Sequence, residues 1–501
     1  MKNLRPPTIG SFLGQHTVKS FLCGLLLLGV VPWACLTLAA PAPAPSQSPS
    51  PKFPDFGFLA PPSQYSGEPF RLSQDYPKEK PDGKKLPAFF AKLPKGFTTD
   101  FTGWHEYMMA IRDYCFEGNL DVDWRVEKNT VRKWYHIPWQ HYGSSGRESI
   151  HGLTKEAPVA PGQLAAGQGR PSPTENYQTY AVGFFNDFGG YTIGQVWKKP
   201  FAPDPSQSST PHGFLEGTVI SKLLFVDVPS EQVPSLVNPV QWQAYLQKTY
   251  QNTARSVRPM SLIQMDIAVK DQRAPSGWLF GTFQYNGQLG KKVLWENLIP
   301  VGIMWGNDPA ITDSAYTNPQ PIETKINPNL KESAINPDPK ELPPTHLGWN
   351  GRLNGPVDNP QSSCMSCHMT AEYPALSAIS PLFTANPPPV GSSAWMRWFQ
   401  NEKCGVPFDA KAKSADFSLQ LAISLQNFDE GYTNLGGIYA PPPPTKPLLK
   451  AVGPQATPAT PTLDAMAPSK AARAAKEPPP PENGQIIHPI SRDVPQLEPE
   501  K

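Results

Sequence analysis

Cys364-Met365-Ser366-Cys367-His368 constrains this chain more than any other stretch. It reads C-x-x-C-H, the attachment signal for a c-type haem. The two thiols add to the haem vinyl groups as thioethers, and the adjacent histidine binds iron from the same side. Five residues thus fix a porphyrin covalently and supply one axial ligand, and the rest of the chain has to fold around them. A thioredoxin-like redox pair would need no following histidine. A zinc site would need two more ligands at short spacing, and only Cys404 is at all near.

The remaining composition narrows the partners. Lys and Arg number 44 against 42 Asp and Glu, so nothing in the charge balance favours a polyanion, and nucleic acid is not an expected partner. The 501 residues allow two to four domains by length alone. Prolines number 63, well above the usual ~5%, which implies long irregular segments. Thirteen tryptophans and 24 phenylalanines still supply a large aromatic core. Of the six cysteines, Cys23 and Cys35 lie in an N-terminal apolar run, and Cys115 and Cys404 remain unassigned. In an oxidising compartment that last pair could form one disulfide; the alternative is two separate buried thiols.

Taken in order, residues 1–40 read as a signal peptide or an uncleaved N-terminal membrane anchor. Lys2, Arg5 and Lys19 precede an uncharged, mostly apolar run from 21 to 40. Either version places the rest in the periplasm or on the outer face of the inner membrane. Residues 41–85 are Pro/Ser-rich and read as a linker. Residues 86–179 form an aromatic-rich N-terminal extension packed on the haem domain, with helices expected over 88–93 and 104–117. His136, His141 and His151 lie close together there, within an aromatic-rich packed loop rather than at metal-ligand spacing to carboxylates. Residues 152–176 read as a surface loop.

The haem domain proper is expected over 180–440. Asn186 is placed to cap a short helix. Residues 218–226 are apolar on both faces, as in a buried strand. Lys222 is the exception, either reaching water at the sheet's end or pointing into a pocket. Residues 263–269 alternate with period two, and 278–285 end at the Asn286-Gly287 turn signal. Residues 298–305 suit an edge strand because of Pro300. Residues 307–362 look irregular, and helices are expected over 394–400 and 417–428. Residues 441–501 hold 16 prolines and no aromatic residue, a composition expected to be disordered. The fold class is α+β: an antiparallel sheet with flanking helices carrying a covalently bound haem c, with long irregular loops and disordered termini.

Several short motifs in this order carry a family resemblance. Gly217 to Lys222 (GTVISK), Lys270-Asp271, Gly277-Trp278, Phe280-Gly281 and the late Cys364 to His368 resemble the cytochrome P-460 and cytochrome c′-beta family over roughly residues 180–370. The resemblance implies an antiparallel sheet carrying one haem, with His368 proximal and an open distal face. It also implies either hydroxylamine oxidation, with a lysine cross-linked to the haem, or binding of small gases such as NO. Lys222 is the candidate for that lysine and the one candidate catalytic residue. The chain departs from the family pattern in its longer N-terminal part, in the irregular stretch between Tyr285 and Cys364, and in a helical segment after the motif.

Candidate groups for the distal side are Lys222, Asp266, Phe280 and Phe283. An electron-transfer cytochrome with a six-coordinate haem, delivering electrons to a respiratory partner, is the alternative. It would need a sixth ligand, with Met396 and His346 as candidates and Met304 and the three early histidines behind them. Met396 lacks the Gly/Pro loop of a ligand methionine, and Met369 adjoins His368 and cannot reach the opposite haem face. A non-catalytic haem sensor or assembly subunit is the third reading. The expected partners are a small-molecule ligand or a redox protein.

Overall fold

The computed structural model describes residues 53–434, apart from 56, 94–95, 141, 143–145, 161–162, 165–175, 248–253, 317–324 and 344–346. The expected signal or anchor, the first part of the linker, His141, His346 and the tail over 441–501 lie outside the described residues. No helix among the described residues is long and apolar enough to cross a membrane.

An eight-stranded, wholly antiparallel sheet organises the chain. Its strands are β1 (Thr154–Val159), β2 (Tyr177–Phe185), β3 (Val219–Val226), β4 (Gln241–Gln247), β5 (Arg255–Lys270), β6 (Trp278–Tyr285), β7 (Leu298–Met304) and β8 (Ser333–Ile335). The order is β1-β2-β3-β5-β6-β7-β8, with β4 paired to the first half of β5. Side chains alternate between the faces of a strand, and that alternation builds two separate cores. Val219, Leu223, Ile263, Met265, Ile267, Leu279 and Phe283 pack against the helix α1 (Phe101–Phe116) through Trp104, Tyr107, Met108, Ile111 and Cys115. Each such apolar side chain contributes roughly 1.5–3 kcal/mol on burial.

The opposite face packs against the second half of the chain. Ala268, Trp278, Phe280, Ile299 and Val301 share a core with α3 (Cys364–His368) and with α4 (Leu419–Asn434), through Met365, Cys367, Leu421, Ala422 and Leu425. The remaining helix, α2 (Asp187–Val196), starts where expected: the Asn186 side chain accepts a hydrogen bond from the Gly189 amide at 3.2 Å.

Five expectations are corrected. Residues 53–85 are not a free tether. Phe53, Phe70 and Tyr76 are buried, and the Phe58 and Phe70 amides donate to the carbonyls of Arg147 and Ser149. The boundary at 179/180 falls inside β2, and β1 takes residues 154–159 of the supposed surface loop, so the end of the 86–179 stretch belongs to the same sheet as the rest. Pro300 does not mark an edge. It sits opposite Phe283 at an irregularity of the β6–β7 ladder, and β7 is paired on both sides, because a bulge frees the position that proline cannot serve as a donor. Residues 395–399 form a 3-10 turn rather than an α-helix. Cys115 and Cys404 are both free thiols. Cys115 packs in the α1-side core beside Ser221, and Cys404 packs against the core of the other face, beside Gly277. The sheet stands between them, which denies their Cα atoms bonding reach.

A two-residue ladder joins β9 (Glu372–Tyr373) to β10 (Lys413–Ser414) directly after the α3 helix. Glu372 is fully buried. Its carboxyl accepts from the Asp409 amide at 2.7 Å and from the Leu376 amide at 3.3 Å. Burial, with the Asp409 carboxyl beside it, pushes the Glu372 pKa up to about 8. The folded chain therefore keeps a proton that the unfolded chain releases above its ordinary ~4.3. The stability this proton contributes is complete below that value and is lost as pH rises toward 8. Replacing Glu372 with Gln removes the titration. Urea unfolding should show wild-type stability falling between pH 5 and 8 and a flatter profile for the variant; parallel profiles would contradict the assignment.

Candidate haem site

The α3 helix is short, and its position is fixed by polar groups at both ends. The Ser363 hydroxyl accepts from the Ser366 amide at 3.1 Å, and the Ser366 hydroxyl accepts from the Ser363 amide at 2.8 Å, a reciprocal cap. Asn307 reaches both ends of the segment. Its side-chain oxygen accepts from the Ser363 hydroxyl at 2.8 Å, and its amide nitrogen lies 3.3 Å from the Met369 sulfur.

Cys364, Cys367 and His368 line one cavity, closed on one side by the sheet and on the other by the start of α4. It holds about 820 Å³ of space between atoms, open solvent at its mouth included. The sheet contributes Ile220, Lys222, Asp266, Ala268 and Phe280, and the α4 side contributes Phe417, Leu419 and Gln420. Most of this wall is apolar. Burial, helped by the nearby Asp266 charge, pushes the Cys364 thiol well up, and burial raises Cys367 as well. Both are held as neutral thiols, whereas a redox-active pair needs a stabilised thiolate. Among the described residues no three His, Cys, Asp or Glu side chains gather as a metal-ion site.

His368 is held in one orientation. Its Nδ1 lies 2.9 Å from the Phe417 carbonyl oxygen. A carbonyl only accepts, so Nδ1 carries the proton and Nε2 keeps its lone pair. A metal-binding histidine is commonly oriented in this way. The ring lies 4.6 Å from that of Phe280. Burial lowers its pKa to about 4, the Lys222 charge adding to this and the Phe417 carbonyl opposing it. The Phe417 carbonyl is presented by an unusual turn: Asp416 and Phe417 are consecutive non-glycine residues in the left-handed region, with φ of 50° and 65°. Such conformations cost of order 1–3 kcal/mol each and persist only when the surroundings impose them.

The charged side chains that the sheet contributes to the cavity wall lie on β1, β3 and β5. Lys222 points into the cavity rather than to the sheet's end, and its Nζ lies 3.0 Å from a Glu156 carboxylate oxygen. On the neighbouring strand Asp266 stands directly opposite Lys222 in the ladder. The Gln264 side-chain amide donates to Asp266 at 2.6 Å and lies 3.3 Å from Asp358. Glu156 and Asp358 were not legible as site residues. Glu156 lies in a Pro-containing stretch and Asp358 in an Asn/Pro-rich one, and neither shows a periodic pattern.

Other candidates lie elsewhere. Phe283 faces the α1-side core and does not line the cavity. Met396 packs with Trp349, Trp395, Trp398 and Phe399 in a separate cluster, so the structure does not bring it to the site. Met304 is buried in β7 and does not line the cavity either. The His136 Nδ1 accepts from the Ser73 amide at 2.9 Å. His151 bridges the Gln243 carbonyl and Asp123 and stacks on Trp242 at 4.4 Å. Both serve packing, as the sequence suggested. Among the described residues, His368 is the one histidine on the cavity wall. Compared with known protein families, curated proteins and solved structures, the chain matches none.

A buried imidazole with a pKa near 4 takes no proton in the folded, haem-free chain at a pH where the unfolded chain, near 6.5, already does. The stability associated with His368 is therefore lost as pH falls from about 6.5 toward 4. Its titration in the haem-free chain, followed by NMR, should have a midpoint near 4. Phe280→Ala, which opens the ring face to water, should move it upward. A wild-type midpoint near the ordinary value would contradict the burial assigned to this ring.

Proposed function

We propose that this chain is an exported mono-haem c-type cytochrome, with the haem attached through Cys364 and Cys367 and its iron held by His368. Its job is redox chemistry or the binding of a small ligand, NO or a hydroxylamine-like molecule, at the face opposite His368. The observation that carries this reading is the convergence of both thiols and His368 on one cavity, with Nδ1 of His368 tied to a backbone carbonyl and Nε2 left as the metal-binding nitrogen. Haem c, held by Cys364, Cys367 and His368, would supply an iron able to exchange an electron or to take a small ligand. The short motifs shared with the cytochrome P-460 and cytochrome c′-beta family point the same way.

The chain's own residues then have distinct tasks. Phe280, Ile220, Ala268 and Leu419 exclude water from the cavity. His368 stays neutral and therefore able to donate its lone pair. Lys222 and Glu156 form an ion pair on the wall, beside Asp266, and can hold or pass a proton near a bound ligand. A cross-link from Lys222 remains a separate proposal, since the ion pair accounts for this lysine's position without one. The six-coordinate electron carrier is less well supported, because Met396 and Met304 are both packed away from the cavity.

The test is the optical spectrum of the reduced protein with and without CO. An open axial position gives a spectrum that shifts on CO addition. A sharp low-spin spectrum unmoved by CO would overturn the open-face reading in favour of electron transfer, and a strongly red-shifted Soret band would show a lysine cross-link.

A further inference from the structure

The carboxylate of Asp416 gathers donors from four separate segments. Lys270 Nζ, at the end of β5, lies 2.8 Å from each of its oxygens. The Trp278 indole N–H, at the start of β6, donates to Oδ1 at 3.0 Å. The Phe214 amide donates to Oδ2 at 2.6 Å, and the Gly405 amide to Oδ1 at 3.1 Å. Asp416 is completely buried and Lys270 nearly so. The Asp416 amide in turn donates to the Ser414 hydroxyl at 2.9 Å. Few side chains are so fully fixed, and the residue that follows is Phe417, whose carbonyl receives the His368 Nδ1 proton.

We propose that Asp416 is a positioning residue for the haem ligand. It holds the left-handed 416–417 turn so that the Phe417 carbonyl sets the tautomer, orientation and basicity of His368. This rests on the haem reading above. Lys270 and Trp278 are the outer part of the same device, since both donate to Asp416. The Lys270…Gly277-Trp278 pattern thereby acquires a purpose. Gly277, at φ 82°, turns the chain into β6, and a Cβ there would lie 2.4 Å from the Cys404 sulfur.

The physical link is short. A histidine that donates its second ring proton to a fixed acceptor is a stronger electron donor through the other nitrogen. If the turn relaxes, the Phe417 carbonyl leaves Nδ1, and the ring is free to rotate and to exchange tautomers. A residue that only stabilised the fold would not alter the ring's electronic state in variants that still fold.

Two readouts test this in D416N and W278F. Because D416N leaves the Lys270 ammonium buried without its partner, the double variant K270M/D416N, which removes both charges, serves where D416N does not fold. In the haem-free chain, 15N NMR of the labelled histidine ring should show the Nδ1–H tautomer in wild type and a mixture in the Asp416 variants. In the haem-loaded, reduced protein the iron–histidine stretch should move to lower frequency and the reduction potential should rise. W278F should give smaller shifts in the same direction. D227N, which breaks the half-buried Asp227–Arg258 pair instead, should shift neither. Unchanged tautomer, stretch and potential in folded Asp416 variants would overturn the proposal. If wild type carries no covalent haem while its tautomer still depends on Asp416, the positioning role stands and the haem reading falls.

Discussion

A buried carboxylate has to be answered by donors, because its desolvation otherwise costs several kcal/mol. Asp416 is answered by β5, β6 and two loop amides at once. Breaking such a pair from one side costs roughly 3–5 kcal/mol, so these segments are not free to move independently. The chain that leaves Asp416 carries the Phe417 carbonyl and then α4, which covers the cavity. The sheet, the roof of the cavity and the orientation of His368 thus depend on one ionic cluster.

The sheet divides the labour around that cluster. One face is spent on stability, with α1 and a dense set of aromatic rings. The other face borders the cavity, with small or flat side chains such as Ala268 and Phe280 next to the α3 helix. Lys222 marks the change of use. It interrupts an otherwise apolar strand at the point where the wall faces the cavity, and Glu156 from β1 answers its charge.

What could be read in advance divides along physical lines. Local signals were legible: the C-x-x-C-H spacing, the apolar run of β3, the alternation in β5, the turn signal that ends β6, the apolar stripe of α1 and the Asn186 cap all depend on residues a few positions apart. β4 (QWQAYLQ) went unread because its polar positions are glutamines, which carry no strand signal. β1 was hidden by Pro158, and β7 was misplaced because the bulge beside Pro300, one extra β7 residue opposite the Thr282–Phe283 step, shows only in the pairing with β6. The site's polar groups were the least legible. Lys270 and Asp416 are 146 positions apart, and nothing near either one announces the other. The same distance problem left Cys115 and Cys404 open between a disulfide and two separate thiols; a sheet separates them, and both are free.

The central claim is that Cys364 and Cys367 exist as thioethers to one haem beneath His368. The intact mass of the purified protein, from a host able to mature c-type cytochromes, tests it most directly. The account predicts a mass above that of the polypeptide by one haem, with the increment confined to the peptide containing residues 364–368. An unmodified mass, with both thiols open to alkylation after unfolding, would contradict it.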